Sequence, residues 1–249
     1  MKSDTKYPLH MYPPFPLRPA SRIDGVFLVD SIAFSRGQYG RSSNYMAEAL
    51  QYILWSTGLY CMAIVVPGAW YSTFSMMASS IPAEYGSTFF VVVLSCGNDV
   101  YSLARQRGRR GIQYIQETIE QDAVGIADGV GAFLQDLRAR TTGGILLVYG
   151  GDGEVWNYQG DFALVYNVYV KVVSDLLRQK AIHEVSVIRG AALRGIETTD
   201  QIGHISEVSL GRVVEAYALF AWQAYTRPAA AEDAPLDVVP MPRVLMSRL

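Results

Sequence analysis

The chain has 249 residues, half of them apolar, which is enough to bury a sizeable core in one large domain or two small ones. Its 21 lysines and arginines against 23 acidic residues leave a net charge of -2, which argues against nucleic acid as a partner. No apolar signal segment opens the chain, and no apolar run has the length of a membrane span. Cys61 and Cys96 lie in apolar runs, as reduced thiols do. We therefore expect a chain without a membrane span, in the cytoplasm or another reducing, soluble compartment.

Strand-like and helix-like segments alternate along the chain. Five short apolar segments bounded by Gly, Pro, Ser or Asp predict strands at residues 26–29, 60–66, 89–94, 145–149 and 184–188. Amphipathic spacing predicts helices at residues 46–57, 113–140, 162–177 and 213–224. Gly125, Gly129 and Gly131 weaken the second helix and favour a break into two. Ser206 is the predicted cap of the last helix.

This alternation is typical of a parallel sheet covered by helices on both faces, because each parallel crossover needs a helix. We predict one α/β domain over residues 23–227, a three-layer α/β/α sandwich with a mostly parallel, doubly wound sheet of about five strands. Pro-rich segments at residues 1–22 and 228–249 flank it. The prolines predict that both segments are extended chain, which could wrap the core or contact a protein partner.

Ligands of such sheets bind beyond the carboxyl ends of the strands, so the residues that follow each strand are candidates for a site. In chain order these are Asp30 and Ser31 after the first strand, Gly68 after the second, Asn98 and Asp99 after the third, and Asp200 and His204 before the last helix. We expect Ser31 in a strand-to-helix turn. His204 has few competitors as a base, because the chain has only three histidines.

This ordered set resembles the sequence blocks of the SGNH, or GDSL-like, hydrolases: a GDS-type serine, a glycine after the second strand, a GxND-type asparagine and a DxxH-type histidine. The resemblance covers nearly the whole domain. It implies a flavodoxin-like sheet and an esterase, lipase or deacetylase-like activity on a small ester or acylated substrate. It implies no cofactor, and the chain shows no His, Cys, Asp and Glu cluster with metal-ligand spacing.

The resemblance also implies roles for individual residues. Ser31 would be the nucleophile that forms an acyl-enzyme, His204 the base and Asp200 its orienting acid. The backbone N–H groups of Ser31 and Gly68, with the Asn98 amide, would form the oxyanion hole.

Other residues near the predicted site are candidates for supporting the loops or lining a pocket. By the same resemblance, Asp30 and Asp99 would support their loops rather than react. Trp70, Tyr71 and Trp156 could line a pocket for an acyl or sugar group, although aromatic residues at these positions would serve equally well as core.

Three departures from the family pattern keep alternatives open. Val29 replaces the glycine before the Asp-Ser pair, Cys96 replaces the first glycine of the GxND block, and Asp200 lies four rather than three residues before His204. A dyad without the acid, or a non-catalytic binding or assembly protein on the same scaffold, would fit these departures. A flavin or nucleotide binder is a weaker third hypothesis, because the glycines at 150, 151 and 153 lack the ending of a phosphate loop.

Overall fold

The molecule is built on a main sheet of six strands and a small sheet of three. The structure, a computed structural model, describes residues 10–12, 23–30, 34–36, 42–81, 88–94, 98–99, 112–150, 160–180, 185–189 and 205–226. The strands are β1 His10–Tyr12, β2 Gly25–Val29, β3 Phe34–Arg36, β4 Ser42–Asn44, β5 Cys61–Val65, β6 Phe89–Leu94, β7 Ile145–Tyr149, β8 Val185–Arg189 and β9 Ile205–Ser206. The helices are α1 Met46–Thr57, α2 Tyr71–Ser79, α3 Ile112–Arg138, α4 Gly160–Gln179 and α5 Leu210–Thr226, the last preceded by a 3-10 turn at Glu207–Ser209.

The main sheet has the strand order β1-β5-β2-β6-β7-β8. The strands from β5 to β8 are parallel, and β1 pairs with β5 in the antiparallel direction. Numbered along the chain, the parallel strands lie in the order 2-1-3-4-5, which is the doubly wound order of flavodoxin-like sheets. The predicted fold class is therefore confirmed.

The central strands form because their sequences suit burial on both faces. Every residue of β2, β5, β6 and β7 is buried, and these strands are almost uninterrupted runs of apolar side chains. Helix α1 packs against α5, while α3 packs against both α2 and α4. No helix in the described part of the chain is both long and apolar enough to cross a membrane.

Two expectations for the helices are wrong. Helix α3 is continuous over 27 residues and does not break at its glycines. Packing explains the glycine at position 129, because a Cβ atom there would come within 2.5 Å of two ring atoms of Tyr71 at the start of α2. Ser206 does not cap the last helix, since it belongs to β9 and a 3-10 turn separates it from α5.

Strand β1 comes from the Pro-rich segment at residues 1–22, which the sequence indicates only as extended chain. Its residues His10 and Met11 pair with Val65 and Ile64 of β5. This part of the segment therefore adds a strand to the domain, whereas residues 227–249 lie outside the described residues. The domain boundaries at 23 and 227 stay a prediction.

Candidate active site

The carboxyl ends of β2, β5 and β6 meet at one edge of the main sheet, where the strand order reverses. Strand β2 lies between β5 and β6, with Val29 paired to both Val65 and Val93. Asp30 directly follows β2, a turn with Gly68 follows β5, and Asn98 and Asp99 follow β6. The fold thus brings together three of the four blocks that the sequence singled out. Open parallel sheets bind their ligands at this switch point.

The turn after β5 explains why a glycine stands at position 68. The Ala69 N–H donates to the Val66 carbonyl oxygen at 3.1 Å, and Gly68 has a φ of 69°. Pro67 in the second position and a positive φ in the third define a type II turn. Because side chains are strained at such a φ, glycine is the residue that fits. The chain then passes through Trp70 into α2.

Two side chains that follow β6 fasten this turn. The Asn98 amide nitrogen Nδ2 donates to the Ala69 carbonyl oxygen at 3.0 Å. The backbone N–H of Tyr71 donates to Asp99 Oδ1 at 3.1 Å. The amide nitrogen of an asparagine carries two hydrogens. The bond to Ala69 uses one of them, so the other can donate to a second acceptor. The two bonds thus tie the chain directly after Gly68 to Asn98 and Asp99.

Asp99 is buried, with 1% of its surface exposed, and its Oδ2 atom has no hydrogen-bond partner among the described residues. Burial raises the pKa of this carboxyl from 3.8 to about 7, because a buried charge loses the solvation of water. The Tyr71 N–H bond lowers the pKa, the negative charge of Asp30 raises it, and the backbone N–H of Asp99 itself lowers it. Asp99 is therefore largely protonated below neutral pH.

Two buried tyrosines lie close enough to Asp30 for its charge to act on them. The Tyr45 hydroxyl donates to the Tyr217 hydroxyl oxygen at 3.1 Å, and both side chains are buried. The ring of Tyr217 also stacks on Phe27 of β2, with centroids 5.7 Å apart. Burial raises the pKa of both phenols, and the charge of Asp30 raises it further. Asp30, itself fully buried, thus lies within electrostatic range of Asp99 and both tyrosines.

The small sheet joins two other parts of the candidate site. Strand β3 pairs with β4 in a hairpin and in the parallel direction with β9, where Ser35 is the partner of Ile205. In the sequence, β3 begins three residues after Ser31, and β9 begins directly after His204. Ser31, Asp200, His204 and Trp156 lie outside the described residues. The strand-to-helix turn expected at Ser31 thus falls outside the described residues; the next described element is β3, and α1 begins only at Met46.

Trp70 and Tyr71, two of the predicted pocket residues, stand side by side at the start of α2. Both are half-buried, and their ring centroids are 5.8 Å apart in an edge-to-face arrangement. The Tyr71 ring lies against Gly129 of α3. One edge of the aromatic pair therefore packs on the fold, and the pair is held next to the Gly68 turn by the Tyr71–Asp99 bond.

The chain has the fold of the SGNH, or GDSL-like, hydrolases. It is similar in structure to a lipase from a goat rumen metagenome, with a TM-score of 0.53 and 13% identity over 80% of this chain and 97% of the lipase. It is also similar to an acetylxylan esterase from Geobacillus stearothermophilus, with a TM-score of 0.52 and 14% identity over 79% and 93% of the two chains. At such identities the likeness shows the fold alone. No protein-family model and no curated protein matches the sequence.

Proposed function

We propose that the chain is a serine hydrolase that cleaves a carboxylic ester through an acyl-enzyme on Ser31. The observation that carries the proposal is the β3–β9 pairing, which joins the segment that follows Ser31 to the segment that follows His204. Asp30, the residue before Ser31, directly follows β2 at the sheet edge where the Gly68 turn follows β5 and Asn98 follows β6. Lipases and esterases among the structural neighbours support the same chemistry.

In this mechanism the Ser31 hydroxyl attacks the ester carbonyl carbon while the His204 imidazole takes its proton. The backbone N–H groups of Ser31 and Gly68 and the second amide hydrogen of Asn98 stabilise the oxyanion of the tetrahedral intermediate. The intermediate collapses to the acyl-enzyme, and His204 returns the proton to the leaving alcohol. Water, activated by His204, then releases the acid and restores Ser31. Trp70 and Tyr71 would contact the acyl or sugar part of the substrate.

Two substitutions test the nucleophile and the base. We expect a fluorophosphonate probe to label the wild-type protein once, on Ser31, and the protein to hydrolyse p-nitrophenyl acetate. Ser31→Ala should abolish both, and His204→Ala should lower both by about a thousandfold or more. Ser35→Ala and His183→Ala are the matched controls and should retain wild-type rates. Labelling that persists in Ser31→Ala, or a well-folded wild type that is never labelled, would contradict the proposal.

A third substitution distinguishes a triad from a dyad. If Asp200 orients the imidazole, Asp200→Asn should lower kcat by a factor on the order of a thousand or more, because the wrong tautomer is then favoured. A dyad would leave kcat within about tenfold of wild type. Circular dichroism of each variant checks that a lost rate is not a lost fold.

A further inference from the structure

Four polar side chains are buried beneath the turns of the candidate active site: Asp30, Tyr45, Asp99 and Tyr217. We call them the buried polar cluster. We propose that Asp99 acts from this cluster as a positioning residue for the Gly68 turn, and that it does so as a neutral carboxylic acid while Asp30 carries the single negative charge. The inference rests on the proposed function.

The assignment of one charge to the cluster follows from the surroundings of the two carboxyl groups. Two carboxylates in a shared, poorly solvated site repel each other, so one of them keeps its proton. Asp99 has only backbone N–H groups to compensate a charge, and its Oδ2 atom is buried without a partner among the described residues. The negative charge of Asp30 raises the pKa of the Tyr45 and Tyr217 phenols, which therefore stay neutral beside it. The proton therefore resides on Asp99.

Within the part of the chain that the structure describes, the other groups near Asp99 do not change this balance. Asp30 directly follows β2, Tyr45 precedes α1 and Tyr217 lies on α5, and among the described residues these are the titratable groups that act within the cluster. Helix α2 presents the Tyr71 backbone N–H to Asp99. The ion pair between α3 and α4, Asp128 with Lys180, is exposed to solvent.

The protonation of Asp99 matters because of what the residue holds. Its bond to the Tyr71 N–H and the neighbouring Asn98 bond to the Ala69 carbonyl fix the chain directly after Gly68. A carboxylate at this place would add negative charge beside donors that must stabilise an oxyanion. It would also be driven away from Asp30 and towards water, which displaces Asn98, the adjacent residue. The pKa of about 7 for Asp99 places this change at neutral pH.

The first test is the pH profile of Ser31 labelling and of kcat/KM for p-nitrophenyl acetate from pH 5.5 to 9. For the wild type, the labelling rate and kcat/KM should rise with pH as His204 loses its proton, and then fall by about tenfold or more as Asp99 ionises. The Asp99→Asn variant keeps a neutral acceptor for the Tyr71 N–H. Its labelling rate and kcat/KM should rise in the same way and stay high at alkaline pH. Asp24→Asn is the matched control, because its carboxylate accepts the Tyr60 N–H at the opposite edge of the sheet, 2.7 Å away. Its profile should follow the wild type.

A second variant distinguishes positioning from mere stability. Asp99→Ala removes the acceptor of the Tyr71 N–H, so kcat at pH 6 should fall by about tenfold or more while KM changes little, and Asp99→Asn should restore it. An alkaline fall that survives in Asp99→Asn, or equal kcat values for the Ala and Asn variants, would overturn the inference.

NMR spectroscopy measures the protonation state of Asp99 without an activity assay. In the Ser31→Ala protein labelled with 13C at aspartate carboxyls, the resonance that Asp99→Asn removes should titrate near pH 7. If Asp99 is already ionised at pH 5.5, the inference fails while the proposed function stands. If the folded wild type neither labels nor hydrolyses at any pH, the proposed function fails and the positioning role fails with it.

Discussion

The carboxyl group of Asp99 makes the stability of the protein depend on pH. The unfolded chain releases this proton near the ordinary pKa of 3.8, whereas the folded chain holds it up to about 7. Between these two values the folded state binds more protons than the unfolded state, so its stability falls as the pH rises and levels off above about 7. Burial of the charge is the main physical cause.

Asp99→Asn should remove this pH dependence. We expect the variant to gain about 2 to 3 kcal/mol relative to wild type on going from pH 5 to pH 8, because each tenfold difference in proton affinity between the folded and unfolded states corresponds to about 1.4 kcal/mol. Urea unfolding of both proteins at the two pH values measures the difference. If the free energies of unfolding of variant and wild type differ by the same amount at pH 5 and pH 8, the Asp99 carboxyl ionises normally in the folded protein.

At this scale the sequence could predict part of the site. Gly68 and Asn98 are recognisable because each follows a strand that ends at the switch point, and the structure shows what they bond to. Tyr45 and Tyr217 are not recognisable, because a tyrosine just before a helix or on the apolar face of one is predicted to be part of the core. Their hydroxyl contact joins residues 172 positions apart, which no local pattern encodes. The segments with Ser31 and His204 stay predictions.

Among the elements, α3 shows how packing overrides local preference. Glycine is a weak helix former, so three glycines in one segment favour a break. Gly129 nevertheless has a packing role, because the Tyr71 ring occupies the space that a side chain would need. Gly125, one turn earlier, is exposed and has no atom near its missing Cβ. The two positions therefore differ mainly in the contact with α2.

This pair of glycines gives a matched prediction. Gly125→Ala should raise the free energy of unfolding by about 0.5 to 1 kcal/mol through helix propensity. Gly129→Ala gains the same propensity but forces the Tyr71 ring away, so we expect a net loss of about 1 to 2 kcal/mol. Urea unfolding of the two variants and wild type measures both effects. Equal stabilisation by both alanines would show that Tyr71 can leave Gly129 without cost.

Length and burial decide which strands a sequence can reveal. The sequence predicts strands β2, β5, β6, β7 and β8 within one or two residues of their observed bounds, because buried parallel strands are uninterrupted apolar runs. Strands β3, β4 and β9 have two or three residues, too few for a periodic pattern. They exist because they pair with one another, which is a property of the tertiary structure.

For the whole molecule, β1 decides whether the main sheet ends in an open edge. All five residues of β5 are buried, and within the described part of the chain β1 is the strand that covers its outer side. An uncovered, apolar edge strand presents free N–H and C=O groups and is a template for pairing with other chains. The prolines that follow β1 predict extended chain, but only the presence of β5 makes that chain a strand.

A truncation separates the effect of β1 from that of the residues before it. A variant that lacks residues 1–12 exposes the edge of β5 and should melt roughly 5 °C below wild type, the shift expected for a loss of about 2 kcal/mol in a chain of this size. Light scattering should show that it aggregates at lower concentration. A variant that lacks only residues 1–9 retains β1 and should behave as wild type in both measurements. If the two truncations melt together, β1 does not protect the sheet edge, and the stability of the domain comes from the parallel strands alone.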